Sequence, residues 1–195
     1  MIKNIIFDVG GVLLEWNPGK LVKELELPTH FIEVFGSLLW AMHDGGLLSR
    51  NELIAKLPDH VDKDVFRHCV GKIAGQLQPI PEMIELFHAL RRKGYKVYIL
   101  SNMPEEMHRE LEALHDFFAH PTGKLFSYQV KAIKPQPQIY EALLEKYKLF
   151  PEESVFIDDL QDNIIAAERL KIKAIHCRTP AQVFGELSQM GVLLK

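Results

Sequence analysis

Four short apolar runs with the composition of buried β-strands recur along the chain, and amphipathic helical patterns separate them. The runs are IIF at residues 5–7, YKVYILSN at 95–102, SVFIDDL at 154–160 and IKAIHC at 172–177. Continuous apolar runs of this length are typical of parallel strands that are covered on both faces. Strands that alternate with helices predict βα units, and therefore a parallel sheet with helices on both of its faces.

Helical spacing is clearest after residue 80. Four apolar residues of PEMIELFHALRRKG lie at the spacing of one helix face: Met83, Leu86, Phe87 and Leu90. Gly94 follows this segment as a stop signal. The segments PQPQIYEALLEKYKL, DNIIAAERLK and TPAQVFGELSQM complete the alternation of helices and strands.

The segment of residues 16–79 breaks the alternation, because it has helical spacing but no convincing strand. Its helical stretches are PTHFIEVFGSLLWAM, SRNELIAKL and DKDVFRHCVGKIAGQL, and Ser49 and Glu52 of the second have the spacing of a capping box. We predict a doubly wound α/β core formed by residues 1–15 and 80–195. A small all-helical domain, residues 16–79, is predicted to be inserted after the first strand.

Composition and charge fit a soluble globular protein of 195 residues, with 47% hydrophobic and 25% charged residues. The net charge of −3 argues against a broad surface for nucleic acid or anionic membrane. No apolar stretch reaches the ~20 residues of a membrane span, and Asp8 interrupts the first run too early for a signal peptide. A cytoplasmic location is therefore expected. Cys69 and Cys177 show no CxxC spacing, so no disulfide framework is implied.

Polar side chains follow the predicted strands where ligands bind in open parallel sheets, at the carboxyl ends of the strands. Each of them alone is explained by a turn, a helix cap or a solvated loop. Their coincidence at one edge of the sheet indicates a ligand site. The residues concerned are Asp8, Ser101, Asn102, Lys134, Asp158 and Asp159.

The segments FDVGGV, LSN, KPQPQIY and FIDDLQDNIIAA occur in the order and context of the four motifs of the haloacid dehalogenase-like (HAD) hydrolases. The chain resembles this superfamily over its whole length, and its helical insert lies where the superfamily carries a small cap domain on a Rossmann-like core. It is most similar to the subgroup of sugar-1-phosphate phosphatases and the N-terminal phosphatase domain of soluble epoxide hydrolase. The resemblance implies Mg²⁺-dependent hydrolysis of a small phosphorylated metabolite, with a sugar phosphate as the best guess.

The resemblance also implies the residues that act on the metal and on phosphorus. Asp8 would be the nucleophile and would form an aspartyl-phosphate that water then hydrolyses. Asp8, Asp159 and the backbone carbonyl of Gly10 would hold Mg²⁺, which prefers oxygen ligands. Asp158 and Asn163 would support this metal site.

Binding of the phosphoryl group would fall to a second set of residues. The Ser101 hydroxyl group and the Asn102 amide would bond its oxygens, and the backbone N–H of Gly11 would contribute to the same cradle. Lys134 would neutralise developing charge and keep Asp8 ionised.

Position 10 departs from the pattern of the superfamily. Its phosphatases usually have a second aspartate two residues after the nucleophile, which protonates the leaving group and then activates water. Gly10 has no such group, and general acid–base catalysis typically contributes ~10²–10⁴-fold. Three alternatives follow: a slow phosphatase, an acid supplied by the cap, or a protein without turnover that binds a phosphate ligand or acts as an interaction protein on an inactive hydrolase scaffold.

The cap contains eight residues that could supply an acid, and the sequence does not show which of them point inward. The His43–Asp44 pair is of most interest because it precedes Gly45 and Gly46, which mark a loop. The full set is His30, His43, Asp44, Asp59, His60, Asp62, Asp64 and His68.

A further alternative is a 2-haloacid dehalogenase, whose branch also lacks the second aspartate and needs no Mg²⁺. Without a metal, however, Asp158 and Asp159 would repel an anionic substrate. The acidic pair therefore favours the metal-dependent phosphatase. Trp16 and Trp40 are interpreted as core residues rather than as part of the cleft, and the oligomeric state is left open.

Overall fold

The computed structural model describes residues 1–192. Its strands are β1 (Asn4–Phe7), β2 (Lys96–Ser101), β3 (Gly123–Phe126), β4 (Ser154–Asp158) and β5 (Lys173–His176). They form one sheet in the order β3-β2-β1-β4-β5, and every pair of neighbours is parallel. The predicted parallel sheet is confirmed.

Six helices lie between β1 and the next helix of the core. Their bounds are α1 (Pro18–Glu24), α2 (Phe31–Phe35), α3 (Leu38–Asp44), α4 (Arg50–Ala55), α5 (Lys63–Val70) and α6 (Ile73–Gln76). The stretch PTHFIEVFGSLLWAM forms two of these helices, because the chain turns at Gly36 and Ser37 caps α3 by accepting the Trp40 N–H at 3.3 Å. The capping box of Ser49 and Glu52 is present at the start of α4. The helical insert is present, whereas its standing as a separate domain stays a prediction.

Six further helices complete the core. They are α7 (Pro81–Arg92), α8 (Glu105–Leu114), α9 (Ser127–Val130), α10 (Pro137–Tyr147), α11 (Gln161–Arg169) and α12 (Pro180–Gln189), and two short 3₁₀ turns lie at Asp116–Ala119 and Pro151–Glu153. Among the described residues, no helix is both long enough and apolar enough to span a membrane. Cys69 and Cys177 are both free thiols.

The sheet is buried on both faces, because successive residues of a strand point to opposite sides. Ile5 and Phe7 of β1 pack in one apolar cluster with residues of α7, α8 and α12, whereas Ile6 packs in a second cluster with residues of α10 and α11. This arrangement explains the continuous apolar composition of the strands and confirms the doubly wound α/β fold.

The sequence patterns missed β3 and α8. The strand β3 has only four residues and lies at the edge of the sheet beside β2, so it is too short for a periodic signal. The helix α8 did carry a signal, since Met107 and Leu111 are buried at a spacing of four residues and acidic residues occupy its first turn.

The two segments that connect the core to the helical insert lie side by side. The Glu15 N–H donates to the Gln78 carbonyl at 2.8 Å, and the Ile80 N–H donates to the Leu13 carbonyl at 2.9 Å. These bonds place the start and the end of the insert next to the carboxyl end of β1, where Asp8 lies.

Candidate active site

Three carboxylates meet at the carboxyl edge of the sheet. Asp8 directly follows β1, and its N–H donates to the Ile157 carbonyl at 2.9 Å, which continues the pairing of β1 with β4 by one residue. Asp158 ends β4, and Asp159 comes next. One carboxylate oxygen from each of the three aspartates lies within 4.8 Å of the others.

Lys134 joins two of these carboxylates. Its Nζ lies 2.8 Å from Oδ1 of Asp8 and 2.6 Å from Oδ2 of Asp158, and the lysine side chain is only 1% exposed. Removal of one partner from a buried ion pair typically costs about 3–5 kcal/mol, because the other charge is left without compensation. Lys134 is therefore an integral part of the carboxylate cluster.

Asn102 fixes the backbone of Lys134. Its Oδ1 accepts the Lys134 N–H at 2.8 Å, and its Nδ2 donates to the Lys134 carbonyl at 3.0 Å. The predicted role of this amide in binding phosphate stays a prediction, and one of its N–H groups is left for that role. In the structure, the side chain of Asn102 binds the backbone of Lys134 and so helps to position that lysine.

Asp158 is held by its neighbours on the other side. Its Oδ1 accepts the Leu160 N–H and an Asn163 Nδ2–H, both at 2.9 Å. Its two oxygens thus have protein donors, which suits the supporting position expected for Asp158 and Asn163.

The charges of the cluster are not balanced by the protein alone. Burial raises the pKa of Asp8 to about 7; the Lys134 ammonium group opposes this, and the negative charges of Asp158 and Asp159 add to it. Burial would lower the pKa of Lys134, but the charges of Asp158 and Asp8 outweigh it and raise that pKa above its usual value. Burial and the charge of Asp158 also raise the pKa of Asp159. One ammonium group among three carboxylates leaves an excess of negative charge that fits a cation.

The turn after β1 requires glycine at position 11. Gly11 has a φ of +71°, and a Cβ atom there would lie 2.4 Å from both Cγ and Oδ2 of Asp159. The carbonyl oxygen of Gly10 accepts no hydrogen bond from any described residue. Carboxylate and carbonyl oxygens are the donors that Mg²⁺ prefers, so the residues present fit the ion that the sequence implied.

A cavity of about 250 Å³ opens over this cluster. Its polar wall includes most of the residues implied by the motifs, namely Asp8, Gly10, Ser101, Asn102, Lys134, Asp159 and Asn163. Gly11 and Asp158 lie behind that wall, against Asp159 and Lys134 respectively. The Ser101 hydroxyl group makes no hydrogen bond with another described residue, so it is free to bond a ligand.

Another part of the cavity wall is apolar. It consists of three aromatic residues, Trp16, Phe35 and Trp40, and of Val9, Leu77, Met103, Met107 and Leu160. The rings of Trp16 and Trp40 stack with centroids 6.4 Å apart and an interplanar angle of 18°. Both tryptophans therefore line the cleft as well as packing in or against the main apolar cluster, so the interpretation of them as core residues holds only in part.

Of the eight acid candidates in the insert, only Asp44 lines the cavity. His43, its neighbour, is buried with its Nδ1 2.9 Å from the Leu48 carbonyl oxygen, and burial lowers its pKa. The order of residues in the chain marked the loop after α3, but it could not show which of the two side chains enters the cleft.

Comparison with known proteins places the chain in a family. A family model described as haloacid dehalogenase-like hydrolase matches residues 2–171. The chain is 26% identical over 192 residues to the sesquiterpene phosphatase astK of Aspergillus oryzae, and the aligned region covers 96% of each protein. It is 28% identical over 198 residues to the D-ribitol-5-phosphate phosphatase of Bacteroides thetaiotaomicron, which covers 87% of this chain and 89% of that protein.

A solved structure shares the fold. It is a HAD family enzyme of Bacteroides thetaiotaomicron in complex with magnesium and inorganic phosphate, with a TM-score of 0.71 and 24% identity over 90% of this chain and 93% of that chain. The family model over residues 2–171 confirms the resemblance that the four sequence motifs indicated, and the chain belongs to the haloacid dehalogenase-like hydrolases.

Proposed function

We propose that this hydrolase is a Mg²⁺-dependent phosphatase that acts on a small phosphate monoester through Asp8. The observation that carries the proposal is that the two carboxylate oxygens of Asp8 differ in their hydrogen-bond partners. Oδ1 accepts the Val9 N–H at 2.7 Å and lies 2.8 Å from Lys134 Nζ. Oδ2 has no hydrogen-bond partner among the described residues and is the oxygen left for chemistry.

The reaction follows from this arrangement. Asp8 Oδ2 attacks phosphorus, and the bond from phosphorus to the ester oxygen breaks as the aspartyl-phosphate forms. Water then attacks the same phosphorus atom, which frees the Asp8 carboxylate and releases inorganic phosphate. The Ser101 hydroxyl group and the Lys134 ammonium group hold the phosphoryl oxygens during both steps.

The metal site is assigned to the same edge of the sheet. Asp8, Asp159 and the carbonyl oxygen of Gly10 would hold Mg²⁺, and Asp158 and Asn163 would support it through the bonds described above. When bound, the ion would reduce the repulsion between the Asp8 carboxylate and an anionic substrate.

The apolar wall of the cavity bears on the substrate. An aromatic and aliphatic wall gains free energy when it covers apolar surface, roughly 25 cal/mol per Å², and it offers few partners to the hydroxyl groups of a sugar. The wall favours a monoester whose organic part is apolar. One relative of the chain is named a sesquiterpene phosphatase, and a sesquiterpene is an apolar group of this kind. A sugar phosphate, which the sequence resemblance suggested, is the competing substrate class.

Gly10 favours a second candidate, a protein that binds a phosphate ligand without turnover. Pure binding, however, does not require a nucleophile with one free oxygen beside a buried lysine. A metal-free 2-haloacid dehalogenase fits less well, because Asp158 and Asp159 would then face the substrate with only Lys134 to offset their charge.

Phosphate release from three esters tests the proposal: 4-nitrophenyl phosphate, a long-chain alkyl phosphate and a sugar phosphate. Each is measured with Mg²⁺ and with a chelator, in wild type, in Asp8→Asn and in the control Asp162→Asn. Asp162 is an exposed carboxylate outside the cavity. We expect release that needs Mg²⁺, is abolished in Asp8→Asn and persists in the control, with the alkyl ester preferred to the sugar ester. No release from any ester would leave the binding protein as the better account.

A further inference from the structure

We propose that Asp44 is the general acid and base of this hydrolase and takes the role that the glycine at position 10 cannot fill. The inference deepens the proposed phosphatase function and rests on it. It stands on the position of Asp44 in the cavity, on the bonds that fix its backbone and on the space around Gly10.

The space beside Gly10 is already filled. A Cβ atom on Gly10 would lie 3.2 Å from Cβ and 3.5 Å from Cγ of Trp16. Trp16 in turn stacks on Trp40 and meets Phe35 edge-on with ring centroids 6.0 Å apart. A side chain at position 10 would require Trp16 to shift by a few tenths of an ångström, so the packing of Trp16 disfavours an acid at this position.

Asp44 approaches from the cap side, and the core holds its backbone. It is the last residue of α3, and its carbonyl accepts the Ser127 Oγ–H at 2.5 Å. The same Oγ accepts the Met103 N–H at 2.8 Å, and Met103 directly follows the predicted phosphate-binding pair Ser101–Asn102. One buried hydroxyl group therefore ties Asp44 to the segment that is expected to hold the phosphoryl group.

The loop after Asp44 is docked on the core as well. The Lys131 Nζ donates to the Gly46 carbonyl at 2.6 Å, and Gly45 packs so that a Cβ there would lie 3.4 Å from Ile133 Cγ2. Residues 131–134 lead directly into Lys134, the lysine of the carboxylate cluster. The position of Asp44 is thus fixed relative to Asp8 by core contacts on two segments.

The carboxyl group of Asp44 is left without a partner inside the protein. It makes no hydrogen bond and no ion pair with any described residue, although it is partly buried in the cavity wall. Two other carboxylates of the insert are engaged: Asp62 caps α5, and Asp64 pairs with Arg67 at 2.9 Å. A buried carboxyl group without a partner costs free energy, which fits a group kept for a ligand.

The electrostatics of the cavity support a protonated Asp44 at neutral pH. Burial and then the charge of Asp8 raise the pKa of Asp44 to about 8, and Lys134 acts in the opposite direction. The charged residues of the neighbouring α4 are engaged elsewhere, since Arg50 pairs with Glu110 and Glu52 closes its own capping box. A general acid works best with a pKa near the working pH.

The proton balance closes over the two steps. As Asp8 Oδ2 bonds to phosphorus, the ester oxygen leaves with the electron pair of the broken bond and takes the proton of Asp44. Asp44 is then a carboxylate, and it removes a proton from the water that attacks the aspartyl-phosphate. Release of phosphate returns Asp8 as a carboxylate and Asp44 in its protonated form.

The test compares Asp44→Asn with wild type on two esters of different leaving group. The leaving oxygen of an alkyl phosphate must be protonated as it departs. The 4-nitrophenolate leaving group is stable as an anion, so 4-nitrophenyl phosphate depends much less on a general acid. We expect the turnover of the alkyl phosphate to fall by about 10²–10⁴-fold. With 4-nitrophenyl phosphate, we expect a rapid burst of nitrophenol that approaches one per chain, followed by slow release, because water activation is impaired.

Two controls separate this role from a structural one. Asp59→Asn changes an exposed carboxylate of the insert that does not line the cavity, and it should match wild type on both esters. Asp44→Asn should also keep the affinity of the wild type for inorganic phosphate in the presence of Mg²⁺. Loss of that affinity would show that Asp44 maintains the site and would contradict the acid–base role.

The outcomes also separate this inference from the proposed function. Alkyl phosphate turnover by Asp44→Asn within about threefold of wild type would overturn the inference and leave the phosphatase in place. Absence of turnover in wild type itself would overturn the proposed function, and the role of Asp44 with it. An equal loss on both esters without a burst would contradict general acid catalysis by Asp44.

Discussion

The carboxyl group of Asp159 packs directly against the backbone of Gly11. A Cβ atom at position 11 would lie 2.4 Å from the carboxyl carbon, a distance that real Cβ contacts do not reach. The positive φ of this residue adds strain for any other side chain. Gly11 therefore determines the position of Asp159, the predicted metal ligand, as well as the shape of the turn.

Gly11→Ala should weaken Mg²⁺ binding, because the new methyl group displaces Asp159. Gly94→Ala is the matched control, since Gly94 has a φ of +87° but no atom within 4 Å of its Cβ position. Both variants should lose about 1–2 kcal/mol of stability through backbone strain, but only Gly11→Ala should lose Mg²⁺ affinity in titration calorimetry. Equal affinities in the two variants would contradict the placement of Asp159 at the metal.

Asn102→Ala should lower the catalytic rate through Lys134. The substitution removes both hydrogen bonds that fix the Lys134 backbone, and loss of such supporting partners typically costs about 10–100-fold. The measurement is kcat for 4-nitrophenyl phosphate with Mg²⁺. Asn102→Gln keeps an amide that can both accept the Lys134 N–H and donate to the Lys134 carbonyl, so it should retain more activity than Asn102→Ala; the reverse order would argue against this positioning role.

Gly10→Ala should destabilise the protein through Trp16. Overpacking of this kind typically costs about 1–3 kcal/mol, and the cost should shrink when Trp16→Gly removes the Cβ and Cγ atoms that the new methyl group would meet. A double-mutant cycle by chemical denaturation measures the coupling. Gly75→Ala is the control, because nothing lies within 4 Å of its Cβ position; additive effects of the changes at positions 10 and 16 would contradict the contact.

Asp44→Asn should stabilise the metal-free protein at alkaline pH. The folded state holds the Asp44 proton up to a pKa of about 8, against 3.8 for the usual carboxyl group. The stability that this proton contributes is complete below about pH 4 and is lost as pH rises to about 8. At pH 9 the buried charge is a cost that asparagine avoids, so the variant should gain at least about 1 kcal/mol over wild type. Thermal unfolding from pH 5 to pH 9 checks that the difference grows with pH.

The sequence was sufficient for the fold because burial on both faces leaves a strong signal in the strands. Ile5, Ile6 and Phe7 are all apolar since alternate side chains enter different clusters. The strand β3 leaves no such signal, because four residues at the edge of the sheet carry no period. The structure brings Asp8, Lys134 and Asp159 together at one edge, because the topology of a parallel sheet brings strand ends together there.

Features that depend on packing between distant segments lay beyond the sequence. Trp16 and Trp40 line the cavity because the insert folds back over β1, which no local pattern records. Asp44 rather than His43 enters the cavity, and its carbonyl is held by Ser127, 83 residues away in the chain. The use of Asn102 to fix Lys134 likewise arises from a contact across 32 residues.

The most direct test of the account is the capture of the phosphoryl group on Asp8. Wild-type protein is mixed with Mg²⁺ and a phosphate monoester labelled at phosphorus, quenched in acid at successive times and mapped by mass spectrometry. We predict label on the peptide that contains Asp8, present only with Mg²⁺ and absent in Asp8→Asn, which should also lack turnover. Turnover that persists in Asp8→Asn, with no label on the Asp8 peptide of wild type at any time, would contradict the central claim.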